Sequence, residues 1–122
     1  MKVLLSIKPK YAEMILSGKK KYEFRRAIFK KPGIKKVVIY ASSPISKVIG
    51  EFEIDDILSL DTNKLWLLTM EHAGIDKEFY DRYFHGKKIG YAIKVKKTKG
   101  YHKYKDLHEF NIKRAPQSFV YI

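Results

Sequence analysis

The chain has no cysteine and only one tryptophan among its 122 residues. Without cysteine it forms no disulfide, no thiolate zinc site and no cysteine nucleophile. The apolar run near its N-terminus covers only three or four residues, which is too short for a signal peptide. No run approaches the ~20 apolar residues that a transmembrane helix needs. We therefore expect a cytoplasmic protein that does not bind a membrane.

Carboxylates are scarce and unevenly distributed. The chain carries 26 Lys and Arg residues against 13 Asp and Glu residues, a formal net charge of +13. Residues 1–50 have a net charge of +11, residues 51–90 of −4 and residues 91–122 of +6. We expect a basic side and an acidic side. A basic face binds polyanions by releasing their counterions, whereas solubility is the alternative explanation for a lysine-rich surface.

Metal-binding and common catalytic motifs are missing as well. The four histidines, His72, His85, His102 and His108, do not have the spacing of metal ligands, so we expect neither a metal ion nor another cofactor. The chain has no glycine-rich phosphate loop and no deaminase signature. The basic segments are therefore the main candidates for a functional site.

Hydrophobic periodicity predicts one domain over residues 1–122, with about six short strands and two to three short helices. Strands are predicted at 1–7, 21–26, 37–40, 47–57, 89–95 and 118–122, and helices at 9–17, 62–73 and 77–85. Short strands joined by local turns are typical of a small, mixed α+β barrel.

The stretch Gly18–Arg26 reads GKKKYEFRR and holds one carboxylate among five cations. Helical periodicity ends at its glycine and strict alternation follows, so Lys21, Glu23 and Arg25 are predicted on one face of a strand. Lys20 and Arg25 are candidates to contact phosphate or a base edge, with Glu23 orienting them or accepting from an exocyclic amine. Ion pairs on a solvent-exposed strand are the alternative.

Arg26 is predicted on the opposite, apolar face of the same strand, beside Tyr22 and Phe24. A guanidinium that points inward needs a partner or a wet cleft. We therefore expect Arg26 to line the floor of a pocket, and a purely structural role is the alternative.

Two segments carry hydroxyl or basic residues at the end of a predicted strand. Ser6 and Lys8 lie where the first strand ends and the first helix begins, and a helix N-terminus favours an anion. Ser42 and Ser43 follow a buried strand, where they are either donors to a ligand or plain turn formers. For Lys8, chance placement on the surface is the alternative.

Tyr101 and Tyr104 are interleaved with lysines in the segment 96–105, which we predict to be a loop. Such aromatic rings can stack on bases while the lysines hold phosphates. A solvated basic loop is the alternative. The acidic helices predicted within residues 61–85 offer a different surface, suited to a protein partner.

Gly18, Lys20, Glu23 and Arg25 form a GxKxxExR pattern that resembles the motif of the ASCH (activating signal cointegrator homology) domain family. Three more segments resemble its small stand-alone archaeal and phage-type members in the same order along the chain: LSIKPKY at 5–11, YASSP with VIGEF at 40–52, and PQSF at 116–119.

This resemblance implies a PUA-like β-barrel that binds RNA in a cleft beside the motif strand. Lys20, Glu23 and Arg25 would line the cleft, and Ser6 and Lys8 would border it. One enzymatic branch resembles an amidohydrolase that acts on acetylated cytidine through Lys, Thr and Glu, but Glu23 stands here where its threonine lies. Another branch is a ribonuclease, in which the three motif residues would serve as cation, base and phosphate clamp.

We therefore predict a single ASCH-type domain that binds RNA in a basic cleft, without a cofactor. Lys20, Glu23 and Arg25 form its centre. The remaining predicted contacts are auxiliary: Ser6, Lys8, Lys21, Arg26, Ser42, Ser43, Tyr101 and Tyr104. An enzyme acting on RNA or nucleosides is the first alternative, and a regulatory module that binds a protein through its acidic helices is the second.

Overall fold

The structure is a computed structural model that covers residues 1–122 and contains one six-stranded sheet. The strands are β1 (Lys2–Ile7), β2 (Tyr22–Arg25), β3 (Lys36–Ala41), β4 (Lys47–Asp61), β5 (Ile89–Lys105) and β6 (Phe119–Tyr121). The helices are α1 (Pro9–Leu16), α2 (Thr62–Thr69) and α3 (Lys77–Tyr83), with 3₁₀ turns at Met70–His72 and Leu107–Phe110. The predicted α+β class and its count of six strands and three short helices are confirmed.

The sheet has the strand order β2-β5-β4-β3-β1-β6 and curls into a half-barrel. Strands β1 and β3 are parallel, and the other neighbours are antiparallel. The curl brings the two edge strands, β2 and β6, towards each other. A hydrogen bond connects them: Arg25 at the end of β2 donates to the hydroxyl of Ser118, directly before β6, over 2.8 Å. We call this gap between β2 and β6 the seam.

Alternation along the strands divides the core between the two faces of the sheet. Val3, Leu5 and Ile7 of β1 pack with residues of β3 and β4 beneath helix α1. Leu4 points the other way and packs with a cluster that the turn Leu107–Phe110 covers. A third cluster joins β2 and β5 to helices α2 and α3. Full burial of each large apolar side chain stabilises the fold by about 1.5–3 kcal/mol.

Local capping rules explain where the helices begin and end. Pro9 occupies the first turn of α1. Gly18, two residues after the end of α1, has a φ of +85° and stops the chain from continuing as a helix. The carboxylate of Asp61 accepts from the backbone N–H groups of the first turn of α2, and Asp76 does the same at α3. None of the helices is long and apolar enough to cross a membrane.

Strands β4 and β5 are longer than the sequence predicts. The predicted loop at 96–105 is the second half of β5, which pairs with β4 through contacts such as Glu51 with Lys99 and Gly50 with Gly100. The prediction was wrong because pairing with a distant strand overrides the loop-like composition of a lysine-rich segment. Bulges within this pairing also interrupt the alternation of inward and outward side chains on which the prediction relied.

Gly50 and Gly100 face each other across β4 and β5 and provide a matched test of this pairing. A Cβ atom at Gly50 would lie 2.7 Å from the carbonyl oxygen of Lys99 and 2.9 Å from a methyl group of Leu16, whereas one at Gly100 would meet nothing within 4 Å. We expect Gly50→Ala to lower the free energy of unfolding by about 1–3 kcal/mol. Gly100→Ala should change it by less than about 1 kcal/mol. Urea denaturation measures both, and equal losses would contradict the register.

Candidate functional site

A pocket of about 320 Å³ opens at the seam, where β2 and the end of β1 meet helices α1 and α3. Half of its lining is apolar and half is polar or charged. The lining residues are Ser6, Ile7, Lys8, Tyr11, Lys20, Glu23, Phe24, Arg25, Ile75, Phe79, Tyr83 and Gln117.

Lys20 lies at the inner wall of the pocket and is only 2% exposed. Its ammonium group donates to the carbonyl oxygen of Ala73 over 2.5 Å and lies 4.8 Å from the ring centroid of Phe24 and 5.5 Å from that of Tyr11. Burial lowers the pKa of Lys20 to about 8, although the neighbouring carboxylate of Glu23 opposes this shift. The lysine therefore changes its charge close to neutral pH.

Gly74 makes room for the stem of Lys20. Its φ is +71°, and a Cβ atom at this position would lie 2.6 Å from Cγ of the lysine. Both the backbone conformation and the space exclude a larger residue. The connection between α2 and α3 thus fixes how deeply the lysine is buried.

Glu23 and Arg25 are the second and third charged groups of the pocket, on the same face of β2 because they are two residues apart. Arg25 Nη1 lies 3.2 Å from Glu23 Oε2, and its Nη2 donates to Ser118. Glu23 is 7% exposed. Burial raises the pKa of Glu23, and the charges of Arg25 and Lys20 offset part of that rise.

Aromatic rings form the apolar walls. The rings of Tyr11 and Phe79 lie 5.6 Å apart, one from α1 and the other from α3. Tyr83 completes the wall, and its hydroxyl donates to the carbonyl oxygen of Phe24 over 3.0 Å. Flat apolar walls beside a cation and a carboxylate suit a flat ring with hydrogen-bonding groups at its edge.

Five residues from the predicted site line this pocket together: Ser6, Lys8, Lys20, Glu23 and Arg25. The hydroxyl of Ser6 donates to the carbonyl oxygen of Pro116 over 2.6 Å, which holds the segment before β6 against β1. Lys8 is exposed at the edge of the pocket, directly before the first residue of α1. The site is thus built from segments near both ends of the chain.

Arg26 does not line the pocket, so the prediction that it forms the floor was wrong. The residue is exposed and donates to the carbonyl oxygens of Tyr83 and His85 over 2.7 and 3.1 Å. Strand β2 ends at Arg25, so the alternation that predicted an inward side chain does not reach the next residue. The carbonyl groups at the C-terminus of α3 attract the cation instead.

The other predicted contacts lie outside the pocket lining. Lys21 is exposed, and Ser42 and Ser43 form the turn after β3. Tyr101 packs on the other face of the sheet, where its hydroxyl donates to Glu51 over 2.8 Å, and Tyr104 is 50% exposed on β5. Whether these residues contact RNA stays a prediction.

Several lining residues were missed by sequence reasoning, chiefly Phe79, Tyr83 and Gln117. Tyr80 of α3 and Phe84, directly after this helix, are buried in the core. Phe79 and Tyr83 lie four residues apart, so they share one side of α3, and this side faces the pocket. No local pattern shows which side of α3 faces β2.

No three His, Asp or Glu side chains lie close enough together to hold a metal ion.

The ASCH domain family model matches residues 5–110. The chain belongs to the ASCH domain family. Crystal structures of the ASCH protein of Zymomonas mobilis superpose on it with a TM-score of 0.89–0.90 at 27–28% identity, covering 99% of this chain and 87–89% of theirs. The PUA-like α+β fold that the resemblance implies is therefore confirmed.

Two curated relatives have names that refer to RNA biology. An ASCH domain-containing ribonuclease of Zymomonas mobilis is 36% identical over 83 residues, which are 68% of this chain and 56% of that protein. The large ribosomal subunit protein uL22 of Ureaplasma parvum is 30% identical over 124 residues, covering 98% of this chain. The chain spans about two fifths (39%) of that ribosomal protein.

The lowered pKa of Lys20 predicts a pH-dependent stability. Between about pH 8 and 10.5 this lysine holds a proton only in the unfolded chain, so unfolding takes up a proton and a higher pH stabilises the fold. We expect the stability of the wild type, relative to Lys20→Met, to rise by up to about 3 kcal/mol across this range. Urea unfolding at several pH values measures it, and the exposed Lys96→Met should parallel the wild type. Parallel curves for Lys20→Met and wild type would contradict the burial.

Proposed function

We propose that this chain binds RNA and that the pocket at the seam takes one nucleotide of the strand. The observation that carries the proposal is the placement of Lys20, Glu23 and Arg25 beside aromatic walls in one pocket. Unstacked RNA bases are recognised by stacking on aromatic rings and by hydrogen bonds to their edges. A volume of about 320 Å³ lies at the lower end of the range for small-ligand pockets, which suits one base better than two.

Each part of the pocket has a distinct task in this proposal. The ring of the base lies between the aromatic walls, and Lys20 and Glu23 offer a donor and an acceptor to its edge. Arg25 and the exposed Lys8 are placed for the adjoining phosphates. The net charge of +11 in residues 1–50 attracts the strand towards this side of the molecule.

The relatives support an RNA ligand at a coarse level, because one is named a ribonuclease and another a ribosomal protein. We propose that residues 1–122 act as one such domain, and that they do so in the cytoplasm and without a cofactor. We also propose a protein partner on the acidic helices 61–85. Its contact is compatible with RNA binding where it uses α2, since no residue of α2 lines the pocket, whereas Phe79 and Tyr83 of α3 do.

RNA binding is tested by fluorescence anisotropy with a short single-stranded RNA at several salt concentrations. A buried, charged hydrogen-bond donor contributes about 1.5–3 kcal/mol, so Lys20→Met should weaken binding by about 10- to 100-fold. Lys96→Met removes the same charge from an exposed site on β5 and should cost less than about 3-fold. Equal losses in the two variants would show that only net charge matters and would contradict a binding pocket.

A ribonuclease is the second candidate, and the lowered pKa of Lys20 favours it specifically. Near pH 8 a substantial fraction of this lysine is neutral and can accept the proton of a ribose 2′-hydroxyl as that oxygen attacks the adjacent phosphorus. Arg25 would stabilise the charge that develops on the phosphate. Glu23 would supply the proton that the leaving 5′-oxygen takes up, a role that the upward shift of its pKa by burial favours.

The direction of the pH dependence separates binding from cleavage. If Lys20 only holds the RNA, affinity falls as the pH rises through about 8, because the ammonium loses its charge. If neutral Lys20 is the base, the cleavage rate rises over the same range. Labelled RNA analysed on gels between pH 6.5 and 9 measures cleavage, with Lys20→Met as the inactive control. No product at any pH would exclude the ribonuclease.

A further inference from the structure

Helix α2 and the residue that follows it expose three large apolar side chains to solvent. Leu67 and Leu68 are 70% and 63% exposed, and Met70, directly after the helix, is 54% exposed. The opposite side of the helix is anchored in the core by Leu65 and Thr69, which are 0% and 1% exposed. Single exposed apolar residues are common on proteins, but neighbouring ones on one face indicate a surface that another molecule covers.

Charged residues of opposite sign border this apolar surface at its two ends. Lys64, Leu67, Leu68 and Glu71 have the spacing i, i+3, i+4 and i+7, which places them on one side of the helix and its continuation. Lys64 forms no ion pair, and Glu71 lies 3.9 Å from the adjacent His72, a pair that carries opposite charges only when the histidine is protonated. The face therefore has a cation at one end, an anion at the other and leucines between them.

We propose that this face binds the same face of a second copy of the chain, with the two α2 helices antiparallel. A two-fold axis between Leu67 and Leu68 places Lys64 of each copy opposite Glu71 of the other. In such an isologous interface every contact occurs twice, so two ion pairs enclose one leucine cluster. The occupant is a second copy because the face is complementary to itself.

The overall charge of the molecule favours contact at this face. With a net charge of +13, two copies repel each other over most of their surface. Helix α2 belongs to the part of the chain at 51–90, whose net charge is −4, so the repulsion is weakest there. One helix of eight residues and the following turn bury less than about 1,200 Å² in total, the range of weak complexes. The dimer is therefore weak and depends on concentration.

The proposal does not rest on RNA binding, because no residue of α2 lines the pocket. The two pockets of the dimer stay open. Ala73, whose carbonyl oxygen accepts from Lys20, follows the turn Met70–His72 directly, so the contact lies close to the pocket without covering it.

Sedimentation velocity of RNA-free protein, from micromolar to millimolar concentration, tests the dimer. The wild type should pass from 14.4 kDa towards twice that mass as the concentration rises. Lys64→Glu and Glu71→Lys each place like charges opposite one another, and each should weaken association about tenfold or more. The double variant Lys64→Glu/Glu71→Lys restores opposite charges and should restore the dimer.

Net charge alone predicts a different outcome for these variants. Lys64→Glu lowers the positive charge of the molecule and would, by reduced repulsion, strengthen association. Lys87→Glu makes the same change at an exposed position outside α2 and should not weaken the dimer. A wild type that stays monomeric at every concentration would overturn the proposal. So would a dimer that the α2 variants leave unchanged, or a double variant that fails to recover association.

Discussion

The burial of the Lys20 ammonium group is the constraint on which the rest of the site depends. Removing an ammonium from water is costly unless other groups replace its hydration. Here the Ala73 carbonyl accepts a hydrogen bond from it, two aromatic rings lie beside it, and the charge of Glu23 favours its protonated form. These partners come from β2, α1 and the connection between α2 and α3, so the lysine is held only when those elements are packed together. Gly74 supplies the space that this packing needs.

Arg25 links this buried charge to the architecture of the sheet. Its guanidinium pairs with Glu23 on one side and donates to Ser118 on the other, so it spans the seam between the two edge strands. The same contacts that close the half-barrel therefore position the charged groups of the pocket. A ligand that replaces either contact would act on both the pocket and the seam. One short motif therefore sets both the closure of the sheet and the geometry of the pocket.

Local rules were enough to predict most of the elements, but neither the second half of β5 nor the walls of the site. Pro9, Gly18, Asp61 and Asp76 begin or end helices as their chemistry predicts, and the GxKxxExR segment follows its predicted change from helix to strand. Arg26 was misplaced because alternation stops where β2 ends. The aromatic wall from α3 was missed because it depends on packing between residues more than fifty positions apart. Contacts at that distance leave no periodic signal in a single sequence.

The central claim, that Lys20 is buried and titrates near neutral pH, is tested most directly by NMR. The side-chain ¹³Cε and ¹⁵Nζ signals of the lysines are followed from pH 6 to 11, and the Lys20 signal is assigned by its loss in Lys20→Arg. The account predicts a pKa of about 8 for Lys20, well below the value of about 10.4 for a lysine side chain in model peptides. A Lys20 signal that titrates together with those of the exposed lysines would contradict it.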